Sequence, residues 1–143
     1  MGGKLLENKK IKMTKLYDAA YDLFTSKGVH ATVVDEIVHR AGVAKGTFYL
    51  YCRDKYDLVN KVILKRTSAM LERTMKALTQ EREERSLGFQ ESVVFFVDSL
   101  VQAFRNDTPF LELVFKNLSP SLFERLFGCA ELEDVRREFV ENF

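Results

Sequence analysis

Ala41-Gly42-Val43-Ala44-Lys45-Gly46-Thr47-Phe48-Tyr49-Leu50-Tyr51, with Lys55 four residues further on, is the stretch that decides how this chain is read. Before it, Val34, Ile37, Val38 and Ala41 recur at a helical period, so a short helix spans roughly Val34 to Arg40. Gly42 ends that helix at a position needing a positive φ, which is nearly free only for glycine. Val43 then pins the turn onto the core. A second short helix follows, opening on a lysine and carrying threonine and tyrosines. Two short helices joined in this way form a helix-turn-helix, and the second helix is the one that enters the DNA major groove. Thr32 is placed to cap the first helix, with Asp35 three residues on as in a capping box.

These residues resemble the tetracycline-repressor (TetR) family of bacterial transcription regulators. The positions that carry the resemblance are Thr32, Val33, Ile37, Ala41, Gly42, Val43, Lys45, Gly46, Thr47, Tyr49, Tyr51, Lys55 and Leu58. Beyond about residue 70 the chain fits the family by helical character only. Three positions depart from the pattern. Ala44 stands where serine is frequent, which removes a helix cap worth about 1 kcal/mol. Cys52 replaces a phenylalanine, implying a smaller core side chain, and Tyr56 replaces a glutamate. The resemblance implies a dimeric regulator, most often a repressor, whose two recognition helices read adjacent major grooves of a palindromic operator. It implies that a small molecule in the carboxy-terminal domain shifts the fourth helix and releases the DNA. It also implies that the last two helices of a member form the dimer interface. The segment from Asp134 to Phe143 is amphipathic and carries no cap signal, so about the final quarter of a member is expected beyond it.

The candidate DNA-binding residues are Thr32, Ala44, Lys45, Gly46, Thr47, Tyr49, Leu50, Tyr51 and Lys55. Lys45 heads the recognition helix and either meets DNA or is a solvated charge. Thr47 and Tyr49 either contact DNA or pack and cap, with the Tyr49 hydroxyl suited to a phosphate. Leu50 either touches a thymine methyl or packs at the rim. Tyr51 reads as a DNA contact. Gly46 lets the backbone approach the sugar-phosphate, and Thr32 combines a cap with a phosphate contact. Lys55 lies in the first turn of the next helix, where a phosphate can meet both an ammonium and free backbone N–H groups; the resemblance favours that role. Phe48 falls with Ile37 and Val43 on the inward side and is expected in the core.

Charge is divided along the chain. Residues 1–70 hold thirteen Lys or Arg against seven Asp or Glu, a net +6, whereas residues 71–143 carry a net −5. A basic half containing a helix-turn-helix is the footprint of a nucleic-acid binder. The acidic remainder is expected to face away from phosphates. At 46% apolar residues the chain is globular rather than disordered. No apolar run approaches the roughly 18 residues of a membrane span, and no secretion signal is recognisable. Position 6 is leucine, against myristoylation of Gly2, and Met1-Gly2-Gly3 reads as an expression remnant or a disordered arm. Cys52 and Cys129 share no motif and read as free thiols of a cytoplasmic protein.

The whole chain reads as helix. The first runs from about Lys9 to Ser26 with Leu16, Ala19, Ala20, Leu23 and Phe24 on one stripe, and Gly28 ends it. After the two short helices a fourth starts at Asp54, whose side chain can cap it, and continues through Leu58, Val62, Leu71 and Met75 to about Leu78. The charged segment Gln80 to Ser86 reads as a junction. A fifth helix spans about Phe89 to Arg105 with Val93, Val97, Leu100, Val101 and Phe104 on its apolar side. Asp107-Thr108-Pro109 breaks the pattern, and helices follow over Phe110 to Asn117, Ser121 to Phe127 and from Glu131.

The fold class expected is all-α: a helix-turn-helix domain over residues 1–53, joined by a long fourth helix to a helical effector and dimerisation domain over residues 54–143. The aromatic-rich set Phe95, Phe96, Leu100, Phe104, Phe110, Phe115 and Phe123 either packs between helices or lines an effector pocket for a small apolar or amphipathic molecule. His30 and His39 have no metal-ligand spacing, and no nucleophilic triad or phosphate-cradling glycine loop is present. Neither an enzyme nor a cofactor is expected. The rival reading is a helical ligand- or protein-binding module without sequence-specific DNA binding.

Overall fold

The computed structural model describes residues 2–117. They form six helices and no strands: α1 Gly2–Lys27, α2 Val34–Ala41, α3 Lys45–Tyr51, α4 Lys55–Arg85, α5 Phe89–Asn106 and α6 Thr108–Lys116. The helices expected over Ser121 to Phe127 and from Glu131, together with Phe123 and Cys129, lie outside the described residues.

The buried face of α1 is the expected stripe of Leu16, Ala19, Ala20, Leu23 and Phe24. Its start differs from the expectation: the helix runs from Gly2, where the sequence suggests a disordered arm. Leu5, Leu6, Glu7, Lys9 and Lys10 are good helix formers, and extending an existing helix adds one hydrogen bond per residue without a new nucleus. Gly28, at φ 86°, ends α1. Gly42, at φ 68°, ends α2 and donates to the His39 carbonyl, while the Val43 N–H bonds the Val38 carbonyl. That paired closure satisfies two orphan carbonyls of the helix end.

The core of the amino-terminal helices gathers Leu16 and Ala20 of α1, Ile37 of α2, Phe48 of α3 and Leu58, Val62 and Ile63 of α4, each no more than 1% exposed. Phe48 therefore sits where its inward position required. Cys52 is a small core residue at 4% exposure, and burial pushes its thiol pKa up.

Asp54 caps α4 as anticipated, accepting the Asp57 N–H at 2.8 Å. Asp57 reciprocates by accepting the Arg53 N–H at 2.9 Å. The helix then continues through the expected junction to Arg85 and ends only where Ser86 adopts φ 53°. Its charged last turns are held by pairs such as Arg85–Glu81 at i, i+4, which a reading for apolar period passes over. Its buried face also departs from the expected stripe: Met70, Thr74 and Leu78 turn inward, while Met75 is 47% exposed. In α5 only Ser92 is fully buried, and the expected apolar residues Val97 and Val101 face outward at 52% and 45% exposure. Asp107, read as part of a break, is the N-cap of α6.

Candidate nucleic-acid interface

A seven-residue helix cannot hold itself together in water; α3 is held by what it buries. Phe48 locks it to α1, α2 and α4 through the shared core. With Phe48 inward, Lys45, Gly46, Tyr49 and Leu50 fall at i, i+1, i+4 and i+5, one outward face. All four are exposed, Tyr49 at 53% and Leu50 at 78%. Thr47 and Tyr51 flank that face, half-buried. The Phe48 and Tyr49 rings meet edge to face at 5.1 Å, so the outward tyrosine leans on the anchored phenylalanine.

Ala44 is the N-cap of α3 and offers no side-chain acceptor; the first turn is closed by the Thr47 N–H on the Ala44 carbonyl at 2.9 Å. Among the described residues, nothing beyond its own helical turn lies within 4 Å of a methyl group placed on Gly46. The fold itself therefore has no need of a glycine there, and the backbone of the first turn is open to an approaching partner.

Lys45 Nζ lies 2.8 Å from Asp35 Oδ1 on α2, with both side chains largely in solvent. The hydrogen bond to Asp35 raises the lysine pKa. Asp35 is thus spent across the turn rather than in a capping box. Other cations around the motif are also engaged: Lys27 with Glu36 at 2.7 Å and Arg40 with Asp22 at 3.3 Å. The Lys27 hydrogen bond lowers the Glu36 pKa.

One expectation is corrected by position, and Lys55 has a structural role besides the one expected of it. Thr32 is fully buried, and its hydroxyl donates to the Gly28 carbonyl at 2.7 Å. It is neither the N-cap of α2, which is Val33 with no side-chain bond, nor reachable by a phosphate. A threonine hydroxyl in an αL-terminated loop satisfies a local carbonyl more readily than it reaches forward. Lys55 is half-buried, and its ammonium donates to the carbonyls of His30 at 2.9 Å and Thr32 at 3.0 Å. It ties the start of α4 to the α1–α2 loop. Lys61 does the same further along α4, donating to the Tyr51 carbonyl and pairing with Asp57. The Arg53 N–H above all, and Lys61 after it, outweigh partial burial and lower the Asp57 pKa.

Phe95, Phe96, Leu100, Phe104, Phe110 and Phe115 lie at unequal depths among the described residues. Phe110 is buried at 1%, stacked on Phe104 at 6.1 Å and tilted against Tyr21 of α1 at 6.5 Å. Phe95, Phe96 and Leu100 are half-buried, and Phe115 is 82% exposed. A cleft of about 390 Å³ opens between α4 and α5, beside Met70, Arg73, Thr74, Ala77, Ser99 and Ala103. It reaches Asp107, a residue that periodicity could not single out. Asp107 Oδ1 accepts the Tyr21 hydroxyl at 3.0 Å and the Phe110 N–H at 3.3 Å, and Oδ2 lies 3.9 Å from Arg66 of α4. The Arg66 guanidinium stacks on the Tyr21 ring at 3.3 Å. Burial first, then the bond to Asp107, raises the Tyr21 pKa. One carboxylate thus joins α1, α4 and the α5–α6 corner.

Among the described residues no group of histidine, cysteine and acidic side chains is arranged for a metal. No helix among them is long and apolar enough to cross a membrane.

Residues 16–62 match the description of bacterial regulatory proteins, tetR family. The chain is 32% identical over 68 residues to the fatty acid metabolism regulator protein of Bacillus subtilis, covering 48% of this chain and 35% of that protein. It is 29% identical over 105 residues to the HTH-type transcriptional activator FasR of Mycolicibacterium smegmatis, covering 72% and 45%. The chain thus spans less than half the length of either relative. Among solved structures, a TetR family transcription regulator from Marinobacter aquaeolei superposes with a TM-score of 0.71 at 16% identity, over 95% of this chain and 72% of that one. FadR from Bacillus subtilis in complex with stearoyl-CoA gives 0.61 at 22% identity, over 79% and 60%. At these identities the likeness is one of fold, and that fold is all-α.

Proposed function

We propose that this chain, which belongs to the tetR family of bacterial regulatory proteins through its residues 16–62, is the DNA-reading part of a transcription regulator. The observation that carries the reading is α3. Its Phe48 is sunk in the core, and Lys45, Gly46, Tyr49 and Leu50 stand outward on one face, with open space at the Gly46 Cβ among the described residues. Lys45 and Tyr49 offer one charge-assisted donor and one hydroxyl for phosphate or base edges. Leu50 offers an apolar tip for a thymine methyl. Ala44, Thr47 and Tyr51 bound the face. Lys55 supports it by fixing the loop behind it.

Residues 1–53 form the DNA-binding domain in this reading, and residues 54–143 begin the effector and dimerisation domain. Two copies read a palindromic operator with half-sites about 34 Å apart, and repression follows from occupying it. A small molecule bound in the helical domain changes that spacing by favouring one arrangement over the other. The stearoyl-CoA in complex with Bacillus subtilis FadR makes a long-chain acyl-CoA the first effector to try.

Selection of duplexes from a randomised library by the full chain tests the DNA reading. A recovered palindromic consensus, lost on Lys45→Ala with the protein still folded, is the expected result. Recovery of no sequence preference would leave a helical binding module in its place. Release of the selected duplex by stearoyl-CoA then tests the effector.

A further inference from the structure

We infer that the amino-terminal extension of α1, residues 2–15, is a second DNA-contact surface that grips the phosphate backbone beside the recognition helix. The inference rests on the DNA-binding reading above. The extension lies outside the residues 16–62 that match the family. It is continuous with the helix whose later turns fill the core, so it projects as a rod about 21 Å long at about 1.5 Å per residue rather than as a loose arm.

Its charge is almost all of one sign, and four of its five lysines share a side. Residues 2–15 hold Lys4, Lys9, Lys10, Lys12 and Lys15 against the single acid Glu7. At 100° per residue Lys4, Lys15, Lys12 and Lys9 fall within one arc of about 140°, Lys10 lies on the other side, and Glu7 stands between Lys10 and Lys4. The side with the four lysines is the same one that carries Leu16, Ala19 and Leu23 into the core further along. Beyond the core's edge it turns basic and meets solvent. Among the described residues none of these five lysines is in an ion pair, whereas Lys27, Arg40, Lys45 and Lys61 of the motif each have an acid. The unneutralised cations of this half are therefore concentrated on the extension.

Its position fits the same partner. Lys9 Nζ sits 5.5 Å from the centre of the Tyr51 ring, at the carboxy end of the recognition helix. The basic side thus reaches Tyr51, on the flank of the face that carries Tyr49 and Leu50. A duplex lying along α3 presents a phosphate strand to cations arranged in this way, and each phosphate so neutralised releases condensed counterions. A lipid surface fits less well. Leu5, Leu6 and Ile11 are exposed at 73%, 62% and 49%, but Leu5 and Ile11 lie on different sides of the helix and make no single apolar stripe.

The test replaces Lys9, Lys12 and Lys15 by glutamine together in the full chain. Glutamine keeps helix propensity close to lysine, and circular dichroism confirms the fold. Binding is followed against salt on a random-sequence 30-base-pair duplex and on the duplex selected by wild type. The expected result is a shallower log K against log salt slope, by about 0.9 for each phosphate no longer neutralised, with the sequence preference retained. A wild-type slope in the triple variant overturns the extension's role while leaving α3 as the reader. Absence of any salt-dependent binding by wild type overturns both. Lysine-dependent sedimentation with phosphatidylserine vesicles, combined with an unchanged slope on DNA, assigns the extension to membranes instead.

Discussion

Asp35 Oδ1 and Lys45 Nζ, on the two helices of the motif, are 2.8 Å apart. The charge at the head of the recognition helix is therefore already balanced inside the protein. Neutralising the acid frees the lysine for phosphate and removes a repulsive carboxylate from the DNA face. Asp35→Asn is expected to tighten binding to duplexes of any sequence and to steepen the salt slope by up to about 0.9. Fluorescence anisotropy at several salt concentrations reads both. The gain should vanish in the Lys45→Ala background; persistence of the full gain there would show that Asp35 acts through something other than this pair.

The first turn of α3 separates what the protein needs from what its partner needs. Ala44 caps with no side chain, so Ala44→Ser should add about 1 kcal/mol of stability. Gly46 has free space at its Cβ, so Gly46→Ala should add up to about 1 kcal/mol. The two differ on DNA: serine adds a hydroxyl for phosphate, whereas a methyl at position 46 pushes a backbone away. Denaturant midpoints at constant m read the stability. Unweakened operator binding by Gly46→Ala would mean that the DNA backbone does not come close there.

Phe48 is 0% exposed among side chains from four helices. Phe48→Ala should cost about 3–5 kcal/mol, comparable with the whole stability of a small domain. Hydrogen exchange should show loss of amide protection over α2 and α3. Retained protection there would contradict the anchoring of α3 by this ring.

The helix-turn-helix is legible in the sequence because local rules agree there. The apolar period, the Gly42 turn and the inward place of Phe48 all point to one geometry, and the structure keeps it. Where side chains choose between local and distant partners, sequence does not arbitrate. Thr32 bonds back to the Gly28 carbonyl, while the N-cap of α2 falls one residue later at Val33. Lys55 has solvent and two loop carbonyls to choose from, and the fold brings the carbonyls within 3.0 Å. The start of α1 and the end of α4 escape the apolar pattern. The start of α1 is carried by helix propensity and the end of α4 by charge pairs such as Arg85–Glu81, and periodicity is blind to both. The Tyr21–Asp107 contact spans 86 positions and has no local signature at all.

Acid should loosen the α3–α4 corner. The Arg53 N–H, with Lys61 in support, lowers the folded-state pKa of Asp57 below its ordinary value. A carboxyl of this kind contributes stability that is fully present above the unfolded pKa, about 3.9. That stability is lost as pH falls through the unfolded value towards the lowered folded one. Wild type should therefore lose stability below about pH 4, and Asp57→Asn should lose less over the same window while starting lower at neutral pH. Parallel acid titrations followed by circular dichroism, with superimposable slopes for the two proteins, would remove Asp57 as a contributor.

Asp107 should behave as a joint rather than as a lone cap. It accepts the Tyr21 hydroxyl, caps α6 through the Phe110 N–H and faces Arg66, so α1, α4 and the α5–α6 corner meet on one carboxylate. Tyr21→Phe deletes one hydrogen bond, at about 1 kcal/mol. Asp107→Ala deletes that bond, the cap and the facing charge, and should cost more, about 2 kcal/mol on the scale of a cap plus one hydrogen bond. Because the two share an interaction, the double variant should lose less than the two losses combined, by at least about 0.5 kcal/mol. In Asp107→Ala, amides of the first turn of α6 should exchange faster, and so should those of α1 around Tyr21, a helix it does not adjoin in sequence. Strict additivity, with faster exchange confined to α6, would reduce Asp107 to a cap and leave α1 mechanically independent of the α5–α6 corner.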